Sequence, residues 1–289
     1  MADIQSISTG LKLGEDGIWY SIDTQSVSYP LSGNKACFAI EERSFWFKHR
    51  NNCILSVVQS YPPAQGGIIF DIGGGNGFVS SALAHAGFDV ALVEPGQIGA
   101  SNAKRRGLET VICATTDSAG FKPHSLPAVG LFDVLEHIRD DLAFLQSLRN
   151  LMKKQGRLYV AVPAYSFLWS ENDVSGGHFR RYTLKNVREI IEQVGFEVEF
   201  SSYIFRLLPI PIALFRAFPY RMGFSRLKDK EQKVAGDHAV QRGTMSSILE
   251  FFLNSELENL KNNKPMRFGG SCLVVATSPS SGGYGRHPF

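Results

Sequence analysis

The sequence predicts an α/β protein in which a mostly parallel sheet is covered by helices on both faces. Three observations carry that expectation. Ile68–Ile72 is an unbroken apolar run of β-branched and aromatic residues around one acid, the pattern of a strand buried on both sides. A glycine turn, Gly73-Gly74-Gly75-Asn76-Gly77, follows at once and leads into a helix start at Phe78. Strand-like and helix-like segments then alternate to about residue 200, which implies parallel strands joined by right-handed crossovers.

In chain order, residues 1–36 are polar and turn-rich, with β-prone pieces such as Gly17–Ser21, and read as a small irregular or hairpin extension. Residues 37–60 read as a helix whose buried face holds Phe45, Phe47, Ile54, Val57 and Val58. Together, 1–60 form an N-terminal extension and helix. The turn-rich Tyr61–Gly67 opens a core domain over 61–202. Its second strand, Phe88–Val93, ends in Glu94, 23 residues after Asp71 and about one strand–helix–strand unit away. A third strand, Val111–Ala114, runs into Thr115-Thr116-Asp117, and a fourth, starting at Val129, delivers Asp133 and Glu136. Thr183 is placed to cap a helix over Leu184–Val194 that Gly195 ends, and Phe196–Phe200 alternates as a strand. An apolar insertion, 203–268, separates it from a last strand within 269–289, whose Ser/Gly/Pro-rich end at 278–289 reads as disordered.

The glycine turn shapes a nucleoside site, because glycine reaches backbone angles barred to other residues and lets a ligand approach the main chain. A dinucleotide reading requires G-x-G-x-x-G. From Gly73 the third position falls on Phe78, which fails, and from Gly75 on Ser80, which is small enough to tolerate. Asp71 weighs more. A carboxylate at the strand end repels pyrophosphate and suits the amino group and sulfonium of S-adenosylmethionine. Glu94 can accept ribose hydroxyls of NAD or S-adenosylmethionine equally, and Thr116 can face an adenine ring. Asp71, Glu94, Asp133 and Glu136 are expected to gather at the carboxyl ends of the strands, where open α/β sheets bind ligands, and to favour a cation.

On Asp71-x-Gly73-x-Gly75-x-Gly77, Glu94 and Phe132-Asp133-Val134-Leu135-Glu136-His137, the chain resembles class I S-adenosylmethionine-dependent methyltransferases. The likeness continues through Leu151–Pro163, although Gln155-Gly156 stands where family members commonly carry Gly-Gly. Ser44–Asn51, Leu168–Ser170 and Gly177–Thr183 resemble the small-molecule branch found in quinone, lipid and sugar pathways. The resemblance covers roughly residues 38–200 and the final strand. It implies a Rossmann-like three-layer sandwich with a mostly parallel seven-stranded sheet, an antiparallel last strand, a helical insertion and an N-terminal extension. It also implies S-adenosyl-L-methionine held by Asp71, Gly73, Gly75, Gly77, Glu94, Thr116, Asp133 and Glu136.

Methyl transfer needs alignment above all, and a base only where the acceptor must lose a proton. His178, His137 and, more weakly, Asp173 are the base candidates. Trp169 and Tyr182 are candidate walls for the acceptor. Arg180 and Arg181 can clamp an anionic group, or one of them can pair with Asp173 or Glu171. The paired Gly176-Gly177 suggests a mobile loop over the site. The insertion at 203–230 is apolar, with Arg206, Arg216, Arg221, Arg226, Lys228 and Lys230 nearby. It reads first as a buried helix covering the site, and second as a greasy acceptor pocket or a membrane-surface contact. It is too short and too interrupted to span a bilayer.

The net charge of +3, without a dense basic run, argues against nucleic acid. Cys37, Cys53, Cys113 and Cys272 are scattered with no C-x-x-C pair, so no metal site is expected and a reducing, cytoplasmic setting is. The N-terminus carries no secretory pattern. A nucleophile elbow and a Walker loop are both missing. The leading expectation is a methyltransferase for a small, partly apolar, anionic acceptor, most simply on oxygen. The alternatives are an NAD-dependent oxidoreductase or epimerase, and a catalytically silent cofactor-binding scaffold. The oligomeric state is not legible.

Overall fold

In a computed structural model of the protein, described over residues 3–22, 38, 40–224 and 244–280, the strand that carries Asp71 lies mid-sheet. The strands are β1 (Leu11–Leu13), β2 (Trp19–Ser21), β3 (Ile69–Ile72), β4 (Val90–Val93), β5 (Thr110–Cys113), β6 (Leu126–Phe132), β7 (Met152–Pro163), β8 (Glu197–Ile204) and β9 (Ser271–Thr277). Their order is β1-β2-β5-β4-β3-β6-β7-β9-β8. Pairing from β2 through β7 is parallel, while β9 enters antiparallel between β7 and β8. After the N-terminal hairpin the sheet is built from β3 outward through β4 and β5, and the chain then returns to add β6 and β7 on the other side. That reversal opens a crevice beyond the carboxyl ends of β3 and β6, where ligands bind in open sheets.

The seven expected strands are all present, and the N-terminal hairpin adds two more. Trp19 and Tyr20 pair in parallel with Ile112 and Cys113, so β2 covers an edge that β5 would otherwise expose. The last strand is not at the edge. It is buried second from the end, with β8 outside it.

The helices are α1 (Phe45–Ser60), α2 (Phe78–His85), α3 (Gln97–Arg105), α4 (Asp141–Leu151), α5 (Glu171–Gly176), α6 (Leu184–Gln193) and α7 (Thr244–Lys261). Period-two alternation divides β3 between the two helical layers. Phe70 and Ile72 face one apolar cluster and Ile69 the other. Asp71 shares Ile69's side and so meets α2, where the Ser80 hydroxyl donates to it at 2.6 Å. The expected cap at Thr183 is a capping box with Asn186, and Gly195 takes φ +89° to end the turn.

The insertion is attached by one buried acid. Glu256 of α7 accepts from the backbone N–H groups of Phe205 (2.9 Å) and Arg206 (2.5 Å) and pairs with His49 of α1 at 2.9 Å. Strand β8 itself runs to Ile204, two residues into the span expected to be insertion. A helical run over Pro209–Ile212, Ala213–Ala217 and Phe218–Arg221 crosses the open side of the crevice. It is not a buried helix. Its outer face is apolar and bare, with Ile210 62% and Phe218 61% exposed. Cys37, Arg226, Lys228, Lys230 and the 281–289 tail lie outside the described residues. Among the described residues no helix is long and apolar enough to cross a membrane.

Replacing Glu256 with alanine leaves the buried N–H of Phe205, the half-buried N–H of Arg206 and His49 without their acceptor. Breaking a buried pair of this kind costs about 3–5 kcal/mol. Urea unfolding of Glu256→Ala is therefore expected to show a loss of that order.

Candidate active site

The crevice is a cavity of about 640 Å³ bounded by the glycine turn, α1, the β6–α4 loop, α5 and the insertion. Its floor is Asp71, only 1% exposed, with Oδ2 taken by Ser80 and Oδ1 buried without a hydrogen-bond partner. Burial raises this carboxyl from 3.8 to about 6, against the Ser80 hydrogen bond and the Arg50 charge that lower it. Above it the turn is left-handed at Gly73 (φ +71°), Gly75 (+55°) and Gly77 (+75°). A Cβ at Gly74 would fall 2.7 Å from Asp71 Oδ2, and one at Gly77 would fall 2.8 Å from Ala103 Cβ. At Gly75 a Cβ would meet nothing within 4 Å. Main chain alone therefore fits beside the carboxylate, while the Gly75 side stays open.

Glu94 stands behind this turn, not on the cavity wall. Its carboxylate accepts from the N–H of Gly75 (3.0 Å) and of Gly96 (2.8 Å), so it holds the loop in shape. Burial raises its carboxyl, opposed by those two hydrogen bonds. Thr116 is buried and also lies off the cavity wall, as does Gly77, which packs on the helix behind. The expected gathering of four acids becomes three: Asp71, Asp133 and Glu136 line the cavity.

Asp133 sits at φ +58° just past β6 and forms a close ion pair with Arg50 of α1. Glu136 is 1% exposed, and neither of its oxygens has a hydrogen-bond partner among the described residues. Burial, then the Asp133 charge, pushes its carboxyl well above the ordinary range. His137 and His178 meet edge to face, with centroids 4.7 Å apart. Burial, then the neighbouring His178, lowers the His137 imidazole.

The segment after β7 is more ordered than its glycines suggest. Gly177 (φ +75°) ends α5 as a left-handed cap, and the His178 N–H donates to Asp173 O at 2.9 Å. Asp173 is engaged by its neighbours and lies off the cavity wall. Burial would raise its carboxyl, but hydrogen bonds from His178 (3.0 Å) and Arg181 (2.7 Å) outweigh it and take it down to about 2. Arg181 lines the cavity with its guanidinium already bidentate on Asp173. Arg180 turns away and pairs with Asp141 at 2.8 Å. Tyr182 is buried off the cavity, its hydroxyl donating to the same Asp141 at 2.7 Å. Trp169 is half-buried outside the cavity. Trp169, Arg180 and Tyr182, expected as acceptor walls, thus lie off the cavity: Arg180 and Tyr182 brace the loop from behind through Asp141.

Other groups fill the wall instead. Glu41 accepts from Asn76 (3.1 Å) and Arg106 (2.8 Å), and Arg50 lies 5.1 Å from the Trp46 ring. Leu208, Ile212 and Phe215 come from the insertion. The signal for Arg50 was available, since His49-Arg50-Asn51 interrupts the apolar face of α1, but its partner is 83 residues away.

The sequence profile described as a methyltransferase domain matches residues 46–200, more than half of the chain. The chain belongs to the methyltransferase domain family. Among curated proteins, it is 29% identical over 113 residues to the ubiquinone biosynthesis O-methyltransferase of Xylella fastidiosa strain 9a5c, covering 37% of this chain and 46% of that protein. A Xanthomonas campestris protein of the same name is 28% identical over the same length, covering 37% and 47%. The match thus spans less than half the length of these relatives. Among solved structures, the phosphoethanolamine N-methyltransferase 2 of Haemonchus contortus, solved with S-adenosyl-L-methionine, superimposes with a TM-score of 0.53 at 19% identity. The superposition covers 90% of this chain and 62% of that one. A chain from the Haloferax volcanii complex of the Trm112 methyltransferase activator with a methyltransferase gives 0.55 at 16% identity, covering 88% and 96%. At these identities the structures establish the fold.

Asp71 supplies a pH test. Its folded-state value lies above its ordinary one, so the native state holds the extra proton, and its contribution to stability is lost as pH rises from about 4 to about 6. Asp71→Asn removes that loss. Urea unfolding is expected to show the variant gaining on the wild type across this window, by on the order of 2–3 kcal/mol, and holding level above it.

Proposed function

We propose that the chain is an S-adenosylmethionine-dependent methyltransferase acting on a small molecule, with an oxygen acceptor that is anionic and partly apolar. The observation that carries this reading is the buried, half-unsatisfied Asp71 beneath a left-handed glycine turn that is open over Gly75. A desolvated carboxylate with a free oxygen fits a cationic ligand and opposes a pyrophosphate. The family, and the curated relatives named O-methyltransferases, point the same way.

S-adenosylmethionine, when bound, brings a methyl group on a cationic sulfur that leaves readily in an in-line displacement. The rest falls to the chain. Asp71 binds positive charge at the floor, while Asp133, paired with Arg50, and the buried Glu136 give the wall its polar groups. Gly73 and Gly75 let the ligand rest on main chain, Glu94 holds Gly75 in place, and Gly77 allows α2 to start beneath. Trp46 and Phe132 give the cavity wall its apolar surface. Where the acceptor must shed a proton, His178 is the group in position to take it, Asp173 orients its ring, and His137 stands beside it. Arg181, whose charge Asp173 balances and whose remaining nitrogen donates to Ala164 O, fixes the loop that carries His178. Thr116 has no part in this reading.

The exposed apolar face of the insertion, with Arg206, Arg216 and Arg221 beside it, supports an amphiphilic acceptor or contact with a membrane surface. The buried free thiols Cys53, Cys113 and Cys272 suit a cytoplasmic setting.

Calorimetry decides the cofactor. S-adenosylmethionine and its demethylated product are expected to bind, and NAD is not; tight NAD binding alone would reverse the reading. Gly75→Val places a branched side chain at φ +55° in the open cavity and is expected to weaken S-adenosylmethionine at least tenfold. Incubation with the methyl-labelled donor and a cell extract should yield a labelled small molecule. Donor binding without any labelled product from acceptor-rich extracts would favour a scaffold.

A further inference from the structure

We propose that Glu136, His137 and His178 form a binding site for one divalent transition-metal ion on the cavity wall, open to an oxygen ligand. The three offer a carboxylate oxygen and two ring nitrogens within 4.8 Å of one another. An ion with ligands at about 2.1 Å holds tetrahedral neighbours roughly 3.4 Å apart, so side-chain movement of about an ångström closes the site. Two imidazoles with one carboxylate suit zinc and its first-row neighbours, and leave coordination positions open.

Three further observations support the assignment. Glu136 is buried and lines the cavity, yet no other residue donates a hydrogen bond to either of its oxygens among the described residues. His178 is oriented as metal-bound histidines are. Its Nδ1 lies 3.0 Å from Asp173, and a carboxylate only accepts, so Nδ1 carries a proton and Nε2 is the ring nitrogen left to ligate an ion. Asp173 is fixed in turn by the Ser170 N–H at 2.9 Å and by Arg181, whose charge it neutralises. His137 likewise shares a hydrogen bond with the backbone of Gly177.

A second triad makes the contrast. His49, Cys53 and Glu256 also bring three ligand atoms within 4.8 Å. There the carboxylate is fully engaged, by two backbone N–H groups and His49. That cluster is a structural joint, whereas Glu136 is free to ligate. The site itself does not depend on the methyl donor. Its use rests on the reading above with one change: a His178 that holds the ion takes no proton, and an acceptor hydroxyl on the ion would lose its proton to solvent more readily, with its oxygen fixed for transfer.

The test is titration of the full-length protein with Co²⁺, whose visible absorption reports coordination. One equivalent is expected to bind with bands of four- or five-coordinate nitrogen and oxygen ligation. Glu136→Gln and His178→Asn should each weaken it at least tenfold. Glu136→Gln keeps shape and volume and breaks no existing hydrogen bond, and its melting curve checks the fold. Cys53→Ser should leave Co²⁺ binding unchanged. No stoichiometric binding overturns the proposal. So does an affinity unmoved by Glu136→Gln, or a thiolate charge-transfer band lost in Cys53→Ser. S-adenosylmethionine calorimetry on the metal-free wild type is separate: binding there with no Co²⁺ site sinks the metal inference alone, and the converse sinks the methyltransferase reading alone.

Discussion

The site is governed by carboxylates held out of water where the strands end. Removing a carboxylate from water is costly unless hydrogen bonds or opposite charge replace the hydration. Asp71 recovers part of that from Ser80, and Glu94 recovers more from two backbone N–H groups. Asp71 keeps one oxygen, and Glu136 both, without such replacement. A protein that carries this strain in its resting state is shaped for a ligand that relieves it.

The arginines make the pattern sharper. Arg50 takes Asp133, Arg106 takes Glu41, Arg180 takes Asp141 and Arg181 takes Asp173. Each guanidinium is committed to an acid that positions a loop or a helix. Asp71 and Glu136 draw no such partner among the described residues, and they stand at two different parts of one cavity. One lies under the glycine turn, which suits the methyl donor, and the other lies beside two histidines, which suits the acceptor. On the proposed reading, this division of charge places the donor and the acceptor on different sides of the cavity.

The roof has a different character. The insertion brings Leu208 and Ile212 to the cavity and leaves Ile210, Leu214 and Phe218 bare on the outside, with Phe215 exposed at the cavity's rim. An apolar surface that continues from the outside to the mouth of a polar, acid-floored cavity favours molecules with a greasy body and a charged or hydroxylated head.

Local sequence determined the parts whose physics is local. Buried strands are legible because both faces are apolar, the turn because only glycine accepts φ near +70° at three alternate positions, and the Thr183 helix because its cap lies three residues from its partner. The acid at the end of β3 and the family likeness were legible for the same reason. Tertiary structure decided the rest. Glu94 turned inward because two N–H groups of neighbouring turns needed an acceptor. Arg180 and Tyr182 left the cavity because Asp141, some 40 residues away, was the nearer partner. Arg50 entered it because α1 packs across the sheet onto Asp133. Such pairings join residues far apart in the chain and are chosen by which charges the fold leaves in low dielectric together, a quantity that no stretch of sequence contains.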